Sequence, residues 1–221
     1  MSSTQPNPHR GKLRAILVAS IILLPVLIWI VFISWGETRC KPLPVYKYTN
    51  ATGDSVPRLI DYPQGLISQA GVSFGVESLA GKHHVAGFIF TTCPTTCPLV
   101  TRAMKEVKEG QEGTQDVAFV SYTVDPATDS AATLAAYAQA QQADWTFVTG
   151  DSSALKQLIR HSYLQPYQDA PGQREKITHS SMLVLVDKDQ RIRGFYNTLR
   201  PEEMKKLQQE LNVLRCEYKS Q

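Results

Sequence analysis

The first 35 residues contain no acidic side chain, and the stretch from Ala15 to Trp35 contains no charge of either sign. Ile, Leu, Val, Trp and Phe dominate this stretch. As a helix rising 1.5 Å per residue it would span roughly 30 Å, the thickness of the hydrocarbon core of a bilayer. A buried helix of a soluble domain would carry polar residues along one face, and this stretch does not. We therefore predict a single N-terminal transmembrane helix over residues 15–35.

A cleaved signal peptide is the main rival interpretation of this stretch. Its apolar region would be about 7–15 residues long and would end in small residues, whereas this one is longer and ends in the bulky Trp35. More basic residues precede the stretch than follow it, which places residues 1–14 in the cytoplasm and the rest of the chain across the membrane. The sequence also lacks an Arg- and Ser-rich amphipathic presequence, which favours a bacterial inner membrane with the domain in the periplasm.

Beyond this anchor the sequence has no excess of either charge. Arg10, Lys12 and Arg14 account for the net charge of +3, so the other 20 of the 23 Lys and Arg stand against 20 Asp and Glu. A neutral domain without a basic run offers no electrostatic footprint for nucleic acid, and we exclude nucleic acid as a partner.

Cysteine is scarce, with four residues that all lie beyond the predicted anchor. They would therefore face an oxidising compartment in which disulfides persist. Cys40 follows the anchor closely and Cys216 lies near the end of the chain, so a bond between them could pin the intervening segment to the domain. Two unbridged thiols, or links to other chains, are equally open interpretations.

Internal repeats and low-complexity tracts are also absent. Residues 36–66 are rich in proline and predict a semi-extended stalk. Over residues 67–221 predicted strands alternate with helices, which indicates a mostly parallel sheet covered on both faces. A hairpin and a helix close the pattern, so we predict an α/β domain with a thioredoxin-like fold. The predicted strands are 72–76, 85–90, 117–122, 145–148, 182–186 and 192–196, and the predicted helices are 98–109, 131–142, 152–161 and 201–214.

Two cysteines with three residues between them follow the predicted strand 85–90. Pro98 opens a helix directly after Cys97, so both thiols lie at a helix N-terminus, where backbone N–H groups favour negative charge. Thiolate is the form that attacks disulfides and the form that binds metals. The three-residue spacing favours two sulfurs on one soft ion, although the loop could still close a disulfide. A pair of inert thiols or a structural disulfide is the alternative that the helix N-terminus and the flanking prolines, Pro94 and Pro98, disfavour.

A metal held by two thiolates needs a third donor. His83 and His84 follow a predicted turn and are expected to be exposed to solvent. His161 ends a predicted helix, where its partial positive charge suits the helix dipole, and we expect a structural role. His179 stands in the loop that enters the strand 182–186. In a thioredoxin-like fold this loop lies against the cysteines. From the residues alone, a metal ligand and an ordinary loop histidine are equally supported there.

The segments 90–98, 124–129 and 179–187 together resemble the Sco/SenC family. Their sequences are Phe-Thr-Thr-Cys-Pro-Thr-Thr-Cys-Pro, Val-Asp-Pro-Ala-Thr-Asp, and a His-Ser pair ahead of Leu-Val-Leu-Val-Asp. The Leu-Ala-Gly-Lys lead-in at 79–82 also matches, and the resemblance extends over about residues 72–196.

This family comprises thioredoxin-fold copper proteins that help assemble the binuclear copper centre of cytochrome c oxidase. The resemblance implies that Cys93, Cys97 and His179 bind copper. It also implies that the copper-containing oxidase subunit is a partner, and that other periplasmic copper chaperones or thiol reductants are further partners. Soft thiolates select Cu(I), and an imidazole lets the site hold Cu(II) as well. Structural zinc would need a fourth ligand that the sequence does not offer.

One motif departs from the family pattern. Family members usually carry an Arg before the second Asp, whereas this chain has Thr128. One interpretation is that Asp129 caps the helix that starts near Ser130, while Asp125 and Pro126 make a turn. The other is that Asp125 lies near the copper loop and tunes or docks it.

The leading hypothesis is a membrane-anchored copper metallochaperone for respiratory oxidase assembly. The alternative is a thiol–disulfide reductase that acts on the oxidase cysteines through Cys93 and Cys97. A sensor that signals through the membrane ranks last, because about 14 residues on the inner side are too few for a signalling domain.

Overall fold

The computed structural model describes residues 20–30, 40–49, 52–111, 113–166 and 180–219. The chain divides into two compact units, residues 1–40 and residues 41–221. In the first unit, residues 20–30 form an exposed helix, α1. Across the described ranges no helix is both long and apolar enough to cross a bilayer. The predicted anchor extends into residues that lie outside the described ones on both sides of α1, and it stays a prediction.

The second unit is built on a six-stranded sheet with the strand order β3-β6-β5-β4-β7-β8. The three central strands β6, β5 and β4 are parallel, and the other three run antiparallel to their neighbours. A separate hairpin pairs β1 with β2. The strands are β1 Lys47–Thr49, β2 Ser55–Pro57, β3 Leu66–Ser68, β4 His83–Ile89, β5 Val117–Thr123, β6 Thr146–Gly150, β7 Met182–Val186 and β8 Ile192–Asn197.

Helices cover the sheet, which separates two apolar cores. One core contains both motif cysteines together with residues of α2 and α5, and the other contains residues of α4 and of β3. Asp151 caps α4 as predicted, since its carboxylate accepts hydrogen bonds from two backbone N–H groups. The helices are α2 Thr96–Glu109, α3 Ala131–Ala140, α4 Ser152–Lys156, which continues into a π-helical turn over Gln157–Ser162, and α5 Pro201–Lys219.

Two predicted elements need correction. The predicted strand 72–76 is not a strand: the N–H of Phe74 bonds to the carbonyl of Leu66, and a 3₁₀ turn begins at Val76. A single isolated antiparallel bridge, between Ser73 and Ile67 of β3, joins this segment to the sheet, so the alternation of apolar residues here is too short to form a strand. The helix predicted from 98 begins at Thr96, which places Cys97 within its first turn.

The Pro-rich segment is not a free stalk from residue 41 onwards, because it belongs to the second unit. Ile60 and Leu66 are buried in the core. The guanidinium of the buried Arg193 donates to the carbonyl groups of Leu43, at 2.8 Å, and Pro44, at 3.2 Å. The prolines interrupt the periodic apolar pattern that would indicate this packing in the sequence. The backbone carbonyl groups of the segment nevertheless accept hydrogen bonds from a buried side chain.

The prediction that His83 and His84 are exposed is wrong, because both are fully buried. They are the first two residues of the central strand β4 and not part of the preceding turn. The His84 Nε2 atom lies 2.9 Å from the hydroxyl of Tyr163, and the His83 ring packs edge-on against Tyr218. Burial lowers the pKa of His83 to about 4 and that of His84 to about 3.

We expect these two histidines to make the folded unit sensitive to acid. In the unfolded chain they bind protons from about pH 6.5 downwards, whereas in the folded chain they stay neutral to about pH 4. The free energy of unfolding should therefore fall as the pH drops through this window, by up to about 1.4 kcal/mol per pH unit for each histidine. Denaturant titrations between about pH 7 and pH 5, above the range in which most carboxylates titrate, measure this slope.

Replacing one of the two buried histidines should remove its contribution to the pH dependence of the free energy of unfolding. His84→Gln should reduce the slope relative to wild type, and the control is His161→Gln at an exposed position. An unchanged slope in His84→Gln would contradict the assignment.

Candidate functional site

Strand β4 delivers the chain into a tight turn that carries the first cysteine. All seven residues of β4 are buried. Just beyond the strand, the N–H of Cys93 donates to the carbonyl of Phe90 at 3.2 Å. A Cβ at Gly87 would press on Met104 of α2 and Leu183 of β7, so the glycine leaves room for both to pack against β4. This close packing holds the second half of α2 against β4.

The two motif cysteines lie on either side of the start of α2, Cys93 in the turn before it and Cys97 in its first turn. Cys93 is 5% exposed, Cys97 is 3% exposed, and neither is in a disulfide. The backbone N–H of Cys97 points at the Cys93 sulfur, at a distance of 3.3 Å. The other two cysteines, Cys40 and Cys216, are disulfide-bonded, so the interpretation of those two as unbridged thiols is wrong.

The surroundings act on the two thiols in opposite directions. Burial raises the pKa of Cys93, but hydrogen bonds from Cys97 and from the backbone of Thr95 and Thr96 outweigh it, and the pKa lies below its ordinary value. Burial raises the pKa of Cys97 far above its ordinary value, and the neighbouring Cys93 and Asp129 add to this effect. Cys93 therefore loses its proton more readily than Cys97.

Asp129 does not cap the following helix, contrary to one of the interpretations of its motif. Ser130 is the N-cap of α3, since its side chain accepts a hydrogen bond from the N–H of Thr133. The turn predicted at Asp125 is present, because its carbonyl accepts from the N–H groups of Thr128 and Asp129. The Asp129 side chain is instead fully buried below the cysteine turn, where it receives hydrogen bonds from residues at the ends of β4 and β5.

Thr91 is the residue at this site that sequence reasoning missed. Its N–H donates to the Asp129 carboxylate at 3.1 Å and its hydroxyl at 2.5 Å. The hydroxyl of Thr123 donates to the same carboxylate at 2.5 Å. These groups are 6 and 38 residues from Asp129 along the chain, so only the parallel pairing of β4 with β5 brings them together. The sole sequence signal was the pair Thr91-Thr92 directly before Cys93.

His179, the predicted third donor, lies outside the described residues. Its neighbour Ser180 is buried, and its hydroxyl donates to the side-chain carbonyl of Gln165 at 2.7 Å. Strand β7 runs antiparallel to β4, with Val184 opposite Ala86, so the start of β7 lies at the edge where β4 ends. Within the described ranges no group of three metal-binding side chains is assembled. His179 as a ligand stays a prediction.

The SCO1/SenC family model matches residues 54–212, which is more than half of the chain. The chain belongs to the SCO1/SenC family. The SCO1 protein homolog of Bacillus subtilis is 30% identical to it over 135 residues, which cover 59% of this chain and 69% of that protein.

Solved structures of Sco proteins share the fold of this SCO1/SenC chain. BsSco, a member of the Sco family of cytochrome c oxidase assembly proteins in which a disulfide switch was identified, matches with a TM-score of 0.60 and 25% identity over 74% of this chain and 96% of its own. ScoI of Bradyrhizobium japonicum, solved with copper bound, matches with a TM-score of 0.51 and 26% identity over 67% and 96%. The predicted thioredoxin-like α/β fold is confirmed.

We expect alkylation of the folded, metal-free SCO1/SenC chain to strike Cys93 well before Cys97. Only the thiolate reacts, and the pKa of the two thiols is shifted in opposite directions. After brief exposure to iodoacetamide near pH 7, peptide mass spectrometry should find at least about tenfold more label on Cys93, the ratio that one pKa unit supplies. In the denaturant-unfolded control the two should react at similar rates. Equal labelling of the folded chain would refute the difference.

Proposed function

We propose that this SCO1/SenC chain is a membrane-anchored copper metallochaperone that delivers copper to the binuclear copper centre of cytochrome c oxidase. The observation that carries the proposal is the pair of buried cysteines at the N-terminal end of α2, of which Cys93 has a lowered pKa. The anchor over residues 15–35 would confine the domain to the periplasmic face of a bacterial inner membrane, the membrane that would hold the oxidase. Other periplasmic copper chaperones or thiol reductants would serve as its donors.

The chemistry of the donor set fits copper. Thiolates are the ligands that Cu(I) prefers, and an imidazole from His179 would extend the set to Cu(II). The N–H groups at the start of α2 stabilise negative charge on the sulfurs, and the burial of both cysteines keeps water from them. That ScoI of Bradyrhizobium japonicum holds copper supports the same cargo for this chain.

The difference between the two thiols also supports a second candidate function. A thiol–disulfide reductase uses one exposed or stabilised thiolate for attack and a second, protonated thiol to resolve the mixed disulfide. The lowered pKa of Cys93 and the raised pKa of Cys97 fit these two roles. Such an enzyme would keep the oxidase cysteines reduced, and it would not need His179.

The copper-binding proposal is tested by elemental analysis of the chain purified reduced and exposed to copper. We expect about one copper per chain in wild type, and its loss in Cys93→Ala and in Cys97→Ala, because each variant removes one of two thiolate ligands. His179→Ala should weaken binding of Cu(II) more than that of Cu(I). The matched control is His161→Ala, which removes an exposed histidine outside the site. A full equivalent of copper in either cysteine variant would rule out this site.

A rescue experiment in cells distinguishes copper delivery from disulfide reduction. If the chain delivers copper, its deletion should lower the activity of a copper-containing oxidase, and added copper should partly restore it by mass action. If the chain reduces disulfides, a small added thiol should restore activity while copper does little. Rescue by thiol and not by copper would overturn the delivery proposal.

A further inference from the structure

The Asp129 carboxylate accepts hydrogen bonds from three donors, all from two residues. These donors are the N–H and hydroxyl of Thr91, beyond the end of β4, and the hydroxyl of Thr123, the last residue of β5. A second N–H contact from Thr91 to the other carboxylate oxygen measures 3.3 Å. Since the side chain is fully buried, each donor would lose its partner without water to replace it if the carboxylate were removed.

One peptide group links this carboxylate to the cysteine turn. The N–H of Thr91 and the carbonyl of Phe90 belong to the same planar peptide. The N–H donates to Asp129, while the carbonyl accepts from the N–H of Cys93. The sulfur of Cys93 in turn accepts a hydrogen bond from the N–H of Cys97 at 3.3 Å. Rotation of this single peptide plane would therefore displace Cys93, whose sulfur lies against the first turn of α2.

We propose that Asp129 is a positioning residue for the thiol pair, because it holds the Phe90–Thr91 peptide in the orientation that anchors Cys93 and thereby places the Cys93 sulfur against the N–H of Cys97. The identity of the metal that they receive rests on the proposed function, whereas the positioning does not. A carboxylate suits this role because it only accepts hydrogen bonds and all the groups that face it here are donors. An amide would turn an NH₂ group towards one of these donors.

A control variant can remove a hydrogen bond to the backbone of Asp129 and leave the hydrogen bonds of its carboxylate intact. The hydroxyl of Thr149 donates to the backbone carbonyl of Asp129 at 2.7 Å. Thr149→Val removes this buried hydrogen bond and should reduce stability, but it leaves the three carboxylate contacts in place. It therefore measures what a purely structural loss near Asp129 does.

The test compares wild type with Asp129→Asn, Thr91→Val, Thr91→Ser and Thr149→Val as full chains. Two readouts report on the sulfurs: the ratio of alkylation rates at Cys93 and Cys97 without metal, and the sulfur-to-Cu(II) charge-transfer absorption after addition of copper alone. We expect Asp129→Asn and Thr91→Val to lower the alkylation ratio at least about threefold and to shift the absorption band. Thr91→Ser, which keeps the hydroxyl, should restore both. The free energy of unfolding is measured in parallel.

Thr149→Val should lower stability while leaving both readouts at their wild-type values. The proposal is overturned if Asp129→Asn and Thr91→Val also keep the wild-type ratio and band, or if Thr149→Val changes them equally at the same loss of stability. If Asp129→Asn does not fold, the comparison of Thr91→Val with Thr91→Ser decides the question. If wild type binds no copper, the proposed function fails, and the metal-free alkylation ratio still tests the positioning.

Discussion

The cysteine turn depends on the burial of β4 at the centre of the sheet. Parallel β5 lies on one side of it and antiparallel β7 on the other, so two strands end and one begins at the same edge. β4 leads to Cys93, β5 leads to the loop that contains Asp129, and β7 begins shortly after His179. Sites at the carboxyl edge of parallel strands arise because this topology gathers residues that are distant in sequence.

The interior below this edge is more polar than the apolar run of β4 suggests. The Asp129 carboxylate accepts hydrogen bonds there from hydroxyl and N–H groups. On the other face of the sheet, the His84 ring forms a hydrogen bond with the Tyr163 hydroxyl. By contrast, neither ring nitrogen of His83 has a hydrogen-bond partner in the part of the chain that the structure describes. Since an unpartnered buried polar group is costly, the neutral state of His83 is the form that the fold tolerates.

Apolar runs bounded by turn residues predict β4, β5, β7 and β8 to within two residues, because strands buried on both faces leave the clearest pattern. The cysteine motif and its helix are likewise evident from local spacing. Polarity alone assigns His83 and His84 to a turn, since their burial depends on Tyr163 and Tyr218 from distant parts of the chain. The packing of residues 41–66 and the contacts of Asp129 also arise from tertiary partners that no local pattern encodes.

The two candidate activities differ in what they require of Cys97. Disulfide exchange needs a thiolate at Cys93 for the attack, and Cys97 has to lose its proton only after the mixed disulfide has formed. Metal binding needs both sulfurs as thiolates together, and a bound cation supplies the charge that offsets the burial of Cys97. Since the pKa of Cys97 is raised, binding of a cation by both sulfurs would be coupled to the release of the Cys97 proton.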